Sequence, residues 1–332
     1  MNIYITLDYE IYFGENHGTV DKCIIQPTSE LIRIAEKHQV HFCFFVDCGF
    51  ILKLKEFKAQ YPELESDYDA ITEQIQYLSR TGHDIQLHIH PHWEDSYFDG
   101  KKWIIDISRY KLADFQESAI DDIVHRYKKV LTDLTGKKVF AYRAGGWCLQ
   151  PFSKLMDAFK ENGISIDSSV FRDGFYFSDH YDYDFRNAPD KDLYRFENDP
   201  VKEETNGFFT ELPISAIKNS PLFFWTLFLL GRLNPYLHKP LGDGRAIPAP
   251  GQRKKLLTQF TQNTVSIDGF NARLLTRALK KLSRERRVHM VVIGHPKALS
   301  RYSIRTLEQF IGANKSIHNF TTYTKEFSTF KP

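Results

Sequence analysis

The chain has few cysteines and no long apolar run. Its 332 residues include four cysteines, and no two of them have the C-x-x-C spacing of a zinc ribbon or a dithiol redox site. The most apolar stretch, SPLFFWTLFLLGR at 220–232, has an apolar core of about ten residues, whereas a membrane-spanning helix needs roughly 20. A membrane span and a cysteine-based metal or redox site are therefore not expected.

An excess of charge of one sign is also lacking. The 44 basic and 42 acidic residues are interspersed and leave a net charge of +2, with no basic arm or acidic tail. Nucleic-acid-binding proteins concentrate basic residues in a patch or stripe, so nucleic acid is not an expected partner. The opening residues MNIYITLDYE lack the basic and apolar segments of a secretory signal, and a cytoplasmic location is expected.

Two interpretations of the stretch at 220–232 stay open. A buried segment or a packed surface flap is the favoured one. The alternative is an exposed apolar patch at 221–230 that contacts either a dimer partner or the surface of a membrane carrying a lipid-linked substrate.

Short apolar runs alternate with stretches of helical periodicity along the chain. Seven runs rich in Val, Ile, Phe and Tyr are predicted to be strands buried on both faces. They lie at 3–7, 40–46, 84–87, 139–142, 164–166, 208–214 and 289–293. Helices are predicted between them, at 27–39, 66–82, 114–136, 270–285 and 303–314. This alternation predicts an α/β fold built from parallel βαβ units.

Most of these runs contain a polar residue that can act as an acid, a base or a metal ligand. In nearly every case this residue lies at the end of the run. In chain order these residues are Asp8, Asp47, His88, Arg143, Asp167, Glu211 and His295. In a parallel barrel the strand ends converge on one rim, where active sites are built. A shared functional site at this rim is therefore expected.

Histidines are concentrated in the stretch GHDIQLHIHPHWED, which begins at residue 82. On an ideal strand His88, His90 and His92 would share one face. Pro91 opposes that arrangement, because proline usually marks a strand end. A turn there would bring His92 back beside His88 and point His90 elsewhere. Imidazoles suit Zn²⁺ and similar ions, which take three protein ligands plus water in catalytic sites.

An acid pair ends the first predicted strand, in the sequence TLDYE. Asp8 and Glu10 share a face if the strand persists. One could bind a metal ion while the other accepts a proton from water, whose pKa a bound metal lowers from about 15.7 to roughly 7. The pair by itself does not decide which carboxylate has which role.

These motifs together resemble the polysaccharide deacetylases of the NodB-homology type, carbohydrate esterase family four. The acid pair in TLDYE matches the first motif of that family. The others are matched by GHxxxxHxxxH at Gly82, His83, His88 and His92, by YRAGGW at Arg143, by IDSSVF at Asp167 and by VVIGHP at His295. The matches follow the family order over nearly the whole chain. The variants LHIHPHW and GHP are most similar to a branch associated with lipopolysaccharide and surface-glycan biosynthesis.

The resemblance implies a distorted (β/α)7-type barrel with parallel strands, forming a single domain over residues 1–332. Loop insertions are expected at about 94–112, 173–206 and 218–252. The implied activity is removal of the acetyl group from an N-acetylated sugar of a glycan or lipopolysaccharide precursor. The implied cofactor is one divalent metal ion, with Zn²⁺ expected and Co²⁺, Ni²⁺ and Fe²⁺ as alternatives.

Roles follow from the resemblance position by position. The implied metal ligands are Glu10, His88 and His92, with His90 beside them but not on the metal. Asp8 would be the catalytic base, Arg143 would orient Asp8, His295 would be the general acid, and Asp167 would orient His295. Backbone groups of Gly145, Gly146 and Trp147 would stabilise the oxyanion, and Trp93 would lie at the substrate site.

The sequence also departs from the family pattern. Many members have adjacent aspartates, whereas this chain has Asp8 and Glu10 around a tyrosine, so the roles of base and ligand could be exchanged. Gly145 and Gly146 replace prolines, which is expected to loosen the loop and open space near the metal. The segment 173–190 is interpreted either as a substrate-binding loop or as a structured surface loop.

Two other classes of function remain to be separated from deacetylation. One is a different metal-dependent amidohydrolase, although such folds usually carry histidines rather than acids on the first strand. The other is a non-enzymatic sugar-binding or assembly subunit on a deacetylase fold. That class would be expected to have lost some of the implied catalytic residues, and all are present.

Overall fold

Two compact units share the chain in the computed structural model, which describes residues 1–178, 181–247 and 250–328. The first unit comprises residues 1–42 and 214–321. The second comprises residues 43–213 and the segment from 322 onward.

The first unit is built around a parallel group of strands, in which β1 pairs with both β14 and β15. A separate antiparallel pair joins β12 and β13. The elements of this unit are β1 (Asn2–Tyr9), α1 (Gln26–His38), β12 (Ala216–Asn219), α6 (Pro221–Leu233), α7 (Pro235–His238), α8 (Gln252–Thr258), β13 (Thr261–Thr264), α9 (Leu275–Arg284), β14 (His289–Gly294), α10 (Arg301–Asn314) and β15 (Asn319–Phe320).

The second unit contains five strands that pair in parallel in the order β2, β3, β6, β7, β11, with β10 antiparallel at the edge beyond β11. Its elements are β2 (Cys43–Asp47), α2 (Cys48–Phe57), α3 (Pro62–Arg80), β3 (Asp84–Ile89), β4 (Tyr97–Phe98), β5 (Trp103–Ile104), α4 (Glu117–Thr135), β6 (Ala141–Ala144), α5 (Met156–Glu161), β7 (Ile166–Asp167), β8 (Phe175–Phe177), β9 (Asp182–Asp184), β10 (Tyr194–Phe196), β11 (Phe209–Glu211) and α11 (Tyr323–Phe327).

All seven predicted strands are present, and the expected α/β class with mostly parallel strands is confirmed. Their residues are buried almost throughout, as expected for strands covered on both faces. The expected insertions contain local structure of their own. The first holds the β4–β5 hairpin, the second holds β8, β9 and β10, and the third holds α6 and α7.

Helix α4 shows how the sequence pattern defines an element. Its buried face is formed by Ile120, Ile123, Val124, Tyr127 and Leu131, at the spacing expected for a helix packed on one side. Gly136 ends it in the left-handed conformation with φ 65° and donates its backbone N–H to the Thr132 carbonyl. Glycine adopts this conformation without the steric cost of a Cβ, so the predicted helix end is confirmed.

The predicted start of α3 at residue 66 was too late. The helix begins at Pro62, and Glu63 and Glu65 lie in its first turn. Proline fits the first turn because its missing N–H needs no partner there, and acidic side chains interact favourably with the positive end of the helix dipole. Both signals precede Ser66, where the predicted segment starts, so the prediction did not include them.

The favoured interpretation of 220–232 as a buried segment or packed flap is wrong. Pro221–Leu233 forms helix α6, in which Phe224 is the one buried residue. Leu222, Trp225, Leu229 and Leu233 are exposed. Among the residues that the structure describes, no helix is long and apolar enough to cross a bilayer.

Removing a buried side chain from α4 should destabilise the protein far more than removing an exposed one. Leu131 is fully buried, so Leu131→Ala is expected to lower the free energy of unfolding by about 2–5 kcal/mol. Lys129 on the same helix is exposed, and Lys129→Ala should change it by less than about 0.5 kcal/mol. Urea denaturation followed by circular dichroism measures both. Equal effects would contradict the packing described for α4.

Candidate active site

Asp8 and His295 end two neighbouring parallel strands of the first unit. The register that pairs Leu7 of β1 with Gly294 of β14 places the next residues of both strands side by side. The His295 Nε2 atom lies 3.6 Å from Asp8 Oδ2 and 3.8 Å from Glu10 Oε1. Both carboxylates are almost inaccessible to solvent. An imidazole facing two buried carboxylates is suited to moving a proton.

The other ring nitrogen of His295 is held by Asp268. Asp268 Oδ2 accepts from Nδ1 at 2.8 Å, and Asp268 Oδ1 accepts from the His295 backbone N–H at 2.8 Å. The orienting role that the resemblance gave to Asp167 therefore belongs to Asp268, because Asp268 already occupies Nδ1. The signal for it lies in the sequence VSID at 265–268, an apolar run that ends in an acid. Its residue Ser266 forms a parallel bridge with Ile293 of β14.

His295 keeps its proton over the neutral pH range. Burial alone would lower the pKa of this imidazole. The negative charge of Asp268, with smaller contributions from Asp8 and Glu10, outweighs burial and raises the pKa to about 9. At neutral pH the ring is an imidazolium with Nδ1–H on Asp268, so Nε2–H is available as an acid.

Lys297 is a buried cation beside Glu10 that the sequence interpretation missed. Its Nζ atom donates to Glu10 Oε1 at 2.8 Å and to the Ile11 carbonyl at 2.7 Å. A buried carboxylate needs a partner of this kind, since the cost of desolvating an unpaired ion is large. The position two residues after His295 in GHPK was the available signal.

His88 has a fixed tautomer in the second unit. Its Nδ1 atom is 2.8 Å from the Arg143 backbone carbonyl, which can only accept, so Nδ1 carries the hydrogen and Nε2 carries the lone pair. Metal-binding histidines are commonly held in this way, with the second nitrogen donating to a carbonyl or carboxylate. The side chain of Arg143 is itself buried and donates from Nε to the Ser168 carbonyl at 2.8 Å. Its expected role toward Asp8 stays a prediction.

His90 and His92 lie next to His88 in a compact aromatic group. The rings of His88 and His90 are 4.7 Å apart, and those of His90 and His92 are 5.3 Å apart. The Tyr110 ring stacks on His92 at 5.7 Å with an interplanar angle of 11°. Tyr110 comes from the insertion between β5 and α4 and was not predicted. All three imidazoles are buried.

Gly145 and Gly146 pack tightly rather than loosening the loop, which corrects the expectation from the sequence. A Cβ at Gly145 would lie 2.6 Å from His90 Nδ1 and 2.6 Å from the Ile89 carbonyl oxygen. A Cβ at Gly146 would lie 2.7 Å from Tyr110, and its φ of 58° also favours glycine. The two glycines let the backbone approach the histidines and Tyr110 closely.

Asp167 and Glu211 form a buried carboxyl pair on neighbouring strands β7 and β11. Burial raises the pKa of Asp167, opposed by hydrogen bonds from Glu211 and Ser169. Burial and the adjacent Asp167 charge raise the pKa of Glu211 well above its ordinary value. The two shifts have a common cause, because burial and a neighbouring carboxylate both disfavour the charged form of a carboxyl group.

Trp93 is a core residue and not part of a substrate surface, contrary to the prediction. Its side chain is fully buried, and its indole N–H donates to Asp47 Oδ2 at 2.7 Å. Its ring packs against Phe50 at 5.1 Å and Trp103 at 5.4 Å. This contact explains why the strand-end acid Asp47 is buried: it satisfies the tryptophan.

The segment 173–190 contributes aromatic rings to this part of the second unit. Tyr181 packs on Tyr110 at 5.0 Å, and Tyr183 packs on Trp147 at 5.6 Å. The β8–β9 hairpin holds both tyrosines. Asp179 and His180, also in the predicted loop, lie outside the described residues. Its role as a substrate-binding loop stays a prediction.

His88 and His90 are buried imidazoles of the second unit, and their ring centres lie 4.7 Å apart. Imidazole nitrogens are donors that suit Zn²⁺ and related divalent ions. The two residues therefore fit part of the ligand set of a metal ion. The resemblance implies Glu10 and His88 as ligands, with His92 as the third.

Comparison with solved structures gives the fold. A protein described as a polysaccharide deacetylase, from Mycobacterium smegmatis, is 15% identical with a TM-score of 0.50, over 98% of this chain and 87% of that one. The fold is a distorted (β/α) barrel. PuuE allantoinase is 13% identical with a TM-score of 0.52, over 98% of this chain and 91% of that one.

A 4-alpha-glucanotransferase from Thermococcus litoralis is also similar in fold. It is 13% identical with a TM-score of 0.52, over 100% of this chain but 41% of the transferase. No family model and no curated protein matches the sequence. At these identities the comparisons establish the fold alone, so the chemistry must be argued from the residues themselves.

Adding a methyl group at Gly145 should be costly. Because its Cβ would overlap the Ile89 backbone and His90, Gly145→Ala is expected to lower the free energy of unfolding by about 1–3 kcal/mol. Gly231 in α6 has no atom within 4 Å of its Cβ position, so Gly231→Ala should be neutral or stabilising by up to about 1 kcal/mol. Chemical denaturation of both variants measures the difference. A neutral Gly145→Ala would show that the close approach is not needed.

Asp268→Asn should lower the pKa of His295 and reduce stability in a pH-dependent way. Folded His295 titrates at about pH 9, whereas an unfolded histidine titrates near 6.5. The stabilisation is therefore fully present below about pH 6.5 and is lost as the pH rises through about 9. In EDTA-treated protein, the free energy of unfolding of wild type should exceed that of Asp268→Asn. The difference should be larger at about pH 6 than at about pH 10. NMR titration of the imidazole tests the pKa directly, and an unchanged value would contradict the assigned pair.

Proposed function

We propose that the protein is a divalent-metal-dependent hydrolase that removes the acetyl group from an N-acetylated sugar. The observation that carries the proposal is the His295 imidazole, held by Asp268 and facing Asp8 and Glu10. A buried carboxylate next to an imidazole suits the paired base and acid steps of amide hydrolysis. The adjacent buried imidazoles of His88 and His90 support metal dependence.

Glu10, His88 and His90 are proposed as the protein ligands of the metal, since the resemblance implies Glu10 and His88 and the His90 ring lies 4.7 Å from that of His88. His92 is the alternative third ligand that the resemblance implies. Zn²⁺ is the expected ion, since two imidazoles and a carboxylate match its usual ligands. When bound, the ion would lower the pKa of water and polarise the acetyl carbonyl group.

The residues of the chain then divide the proton transfers. Asp8 accepts a proton from the attacking water as the oxygen bonds to the acetyl carbon. His295 gives its Nε2 proton to the sugar nitrogen as the C–N bond breaks, so that acetate and an amine leave. Asp268 keeps Nδ1 of His295 protonated and fixes the ring. In the exchanged assignment Glu10 is the base and Asp8 is a ligand. Substituting Asp8 would then remove the metal, and substituting Glu10 would not.

Other residues are proposed to hold the substrate. Backbone N–H groups of Gly145, Gly146 and Trp147 would stabilise the developing oxyanion, a contribution of about 2.7–4 kcal/mol for one donor in comparable sites. The Trp147 and Tyr183 rings supply apolar faces suited to sugar rings. Arg143 would orient Asp8. We propose a glycan or lipopolysaccharide precursor as the substrate and the cytoplasm as the location.

Metal content and acetate release together test this proposal. Purified wild type should contain one divalent ion by mass spectrometry and should release acetate from N-acetylglucosamine oligosaccharides. Asp8→Asn should keep the metal and lose turnover by about 10²–10⁴-fold. His88→Ala and His90→Ala should lose both, while His92→Ala should keep the metal. Phe177→Ala, an exposed aromatic in β8, is a control that should keep the metal content.

The other results separate the remaining hypotheses. Loss of metal in His92→Ala but not in His90→Ala would restore the ligand set implied by the resemblance. Loss of metal in Asp8→Asn would exchange the roles of Asp8 and Glu10. Turnover of allantoin in place of acetylated sugars would favour a different amidohydrolase. Sugar binding without metal or turnover would identify a non-enzymatic binding subunit.

A further inference from the structure

Helix α6 presents a continuous apolar stripe to solvent. Leu222, Trp225, Leu229 and Leu233 follow one another at intervals of three or four residues, so their side chains lie on one helix face. Between 57% and 72% of each of these residues is exposed. Tyr236 of α7 extends the patch and is 73% exposed. A stripe of this size is unusual on a surface that meets only water.

Several contacts attach α6 to its own unit. Phe224 is buried, and Phe223 stacks on Phe270 at 5.5 Å. The Trp225 indole N–H donates to the Leu257 carbonyl of α8 at 3.1 Å, and the Arg253 guanidinium lies 4.7 Å from the Phe228 ring centre. The helix therefore has a fixed orientation, and the exposed stripe is a defined surface of the fold.

The residues around the stripe are strongly basic. The segment 214–260 contains seven Lys and Arg residues and one acidic residue, Asp243, so its net charge is +6, whereas the whole chain has +2. Asp243 is already engaged, because it accepts from the backbone and the hydroxyl of Thr19 at 2.8 and 3.0 Å. Lys218, Arg232, Lys239 and Lys254 are exposed. The apolar stripe is thus flanked by cations.

Helix α9 continues the basic surface. Three exposed basic residues of α9 and one from the turn before this helix follow one another at helical spacing and line a groove. They are Arg273, Arg277, Lys280 and Arg284. Arg277 Nη2 donates to the Lys218 carbonyl at 2.8 Å. This contact joins the groove to β12, directly before α6.

We propose that α6 and its flanking cations dock the protein on an anionic lipid bilayer. The apolar stripe would enter the boundary between headgroups and acyl chains, with α6 parallel to the surface and the cations on lipid phosphates. A helix of 13 residues is about 20 Å long, shorter than the roughly 30 Å hydrocarbon core, so it lies on the membrane and does not cross it.

Charge complementarity favours a bilayer over a second copy of the chain. In a symmetric dimer the same patch meets itself, which would bring two strongly basic surfaces together. Anionic lipid neutralises them instead. Trp225 fits the same location, since tryptophan is enriched at the boundary between membrane and water. The inference does not depend on the proposed hydrolase activity.

Vesicle co-sedimentation of the full chain tests the proposal. Wild type should bind phosphatidylcholine vesicles that contain phosphatidylglycerol, and binding should fall with salt. It should bind pure phosphatidylcholine vesicles at least about tenfold more weakly. Leu229→Ser with Leu233→Ser, and separately Lys239→Glu with Lys254→Glu, should each weaken binding by more than about tenfold.

Matched controls use exposed residues outside the patch. Ile317→Ser removes an equally exposed apolar side chain, and Lys55→Glu with Lys101→Glu reverses two exposed charges of the second unit. Both should bind as wild type does. Circular dichroism confirms that each variant is folded. Absence of vesicle binding, or equal binding to both lipid mixtures, would overturn the proposal. The proposal would also be overturned if wild type fails to bind vesicles and is a dimer in light scattering, while the double leucine variant is a monomer.

Discussion

Buried carboxylates at the ends of apolar strands impose the main requirement on this structure. Asp8 and Glu10 follow a strand with almost no solvent access, and an unpaired ion in such a place costs several kcal/mol. The first unit meets this cost with cations. Lys297 donates to Glu10, and His295 is held protonated between these acids and Asp268. The same contacts place the His295 imidazole next to two buried carboxylates.

The second unit meets the same requirement in another way. Asp167 and Glu211 lie on adjacent strands, and burial together with the charge of Asp167 raises the pKa of Glu211, which favours its neutral form. Arg143 is fully buried beside them and is satisfied by the carbonyl and hydroxyl of Ser168. The carbonyl of Arg143 in turn accepts from His88 and sets its tautomer. A structural hydrogen bond thereby decides which nitrogen of His88 can bind a metal.

Close backbone packing and an exposed apolar helix complete this picture. Gly145 and Gly146 have no side chain, so the loop after β6 can pack closely against His90 and Tyr110. Helix α6 does the opposite, since it turns large apolar residues outward on a surface rich in cations. An exposed apolar stripe of this kind calls for a functional explanation.

The sequence by itself determined the local elements. The apolar runs located all seven predicted strands, since strands buried on both faces have a simple composition. The ends of two of these runs also pointed to Asp8 and His295, which lie on neighbouring parallel strands of the first unit. The end of α4 at Gly136 was predicted because glycine favours the left-handed conformation that ends a helix. The start of α3 was not predicted from the apolar periodicity.

Only the tertiary structure decided which residues pair. Asp268 and Lys297, not Asp167, are the partners at His295 and Glu10, and the choice depends on which strands are neighbours. Trp93 lies in the core, where Asp47 accepts its N–H, and α6 is largely exposed, since Phe224 is its one buried residue. Partners far apart in sequence are chosen by burial and geometry, and a local pattern contains neither.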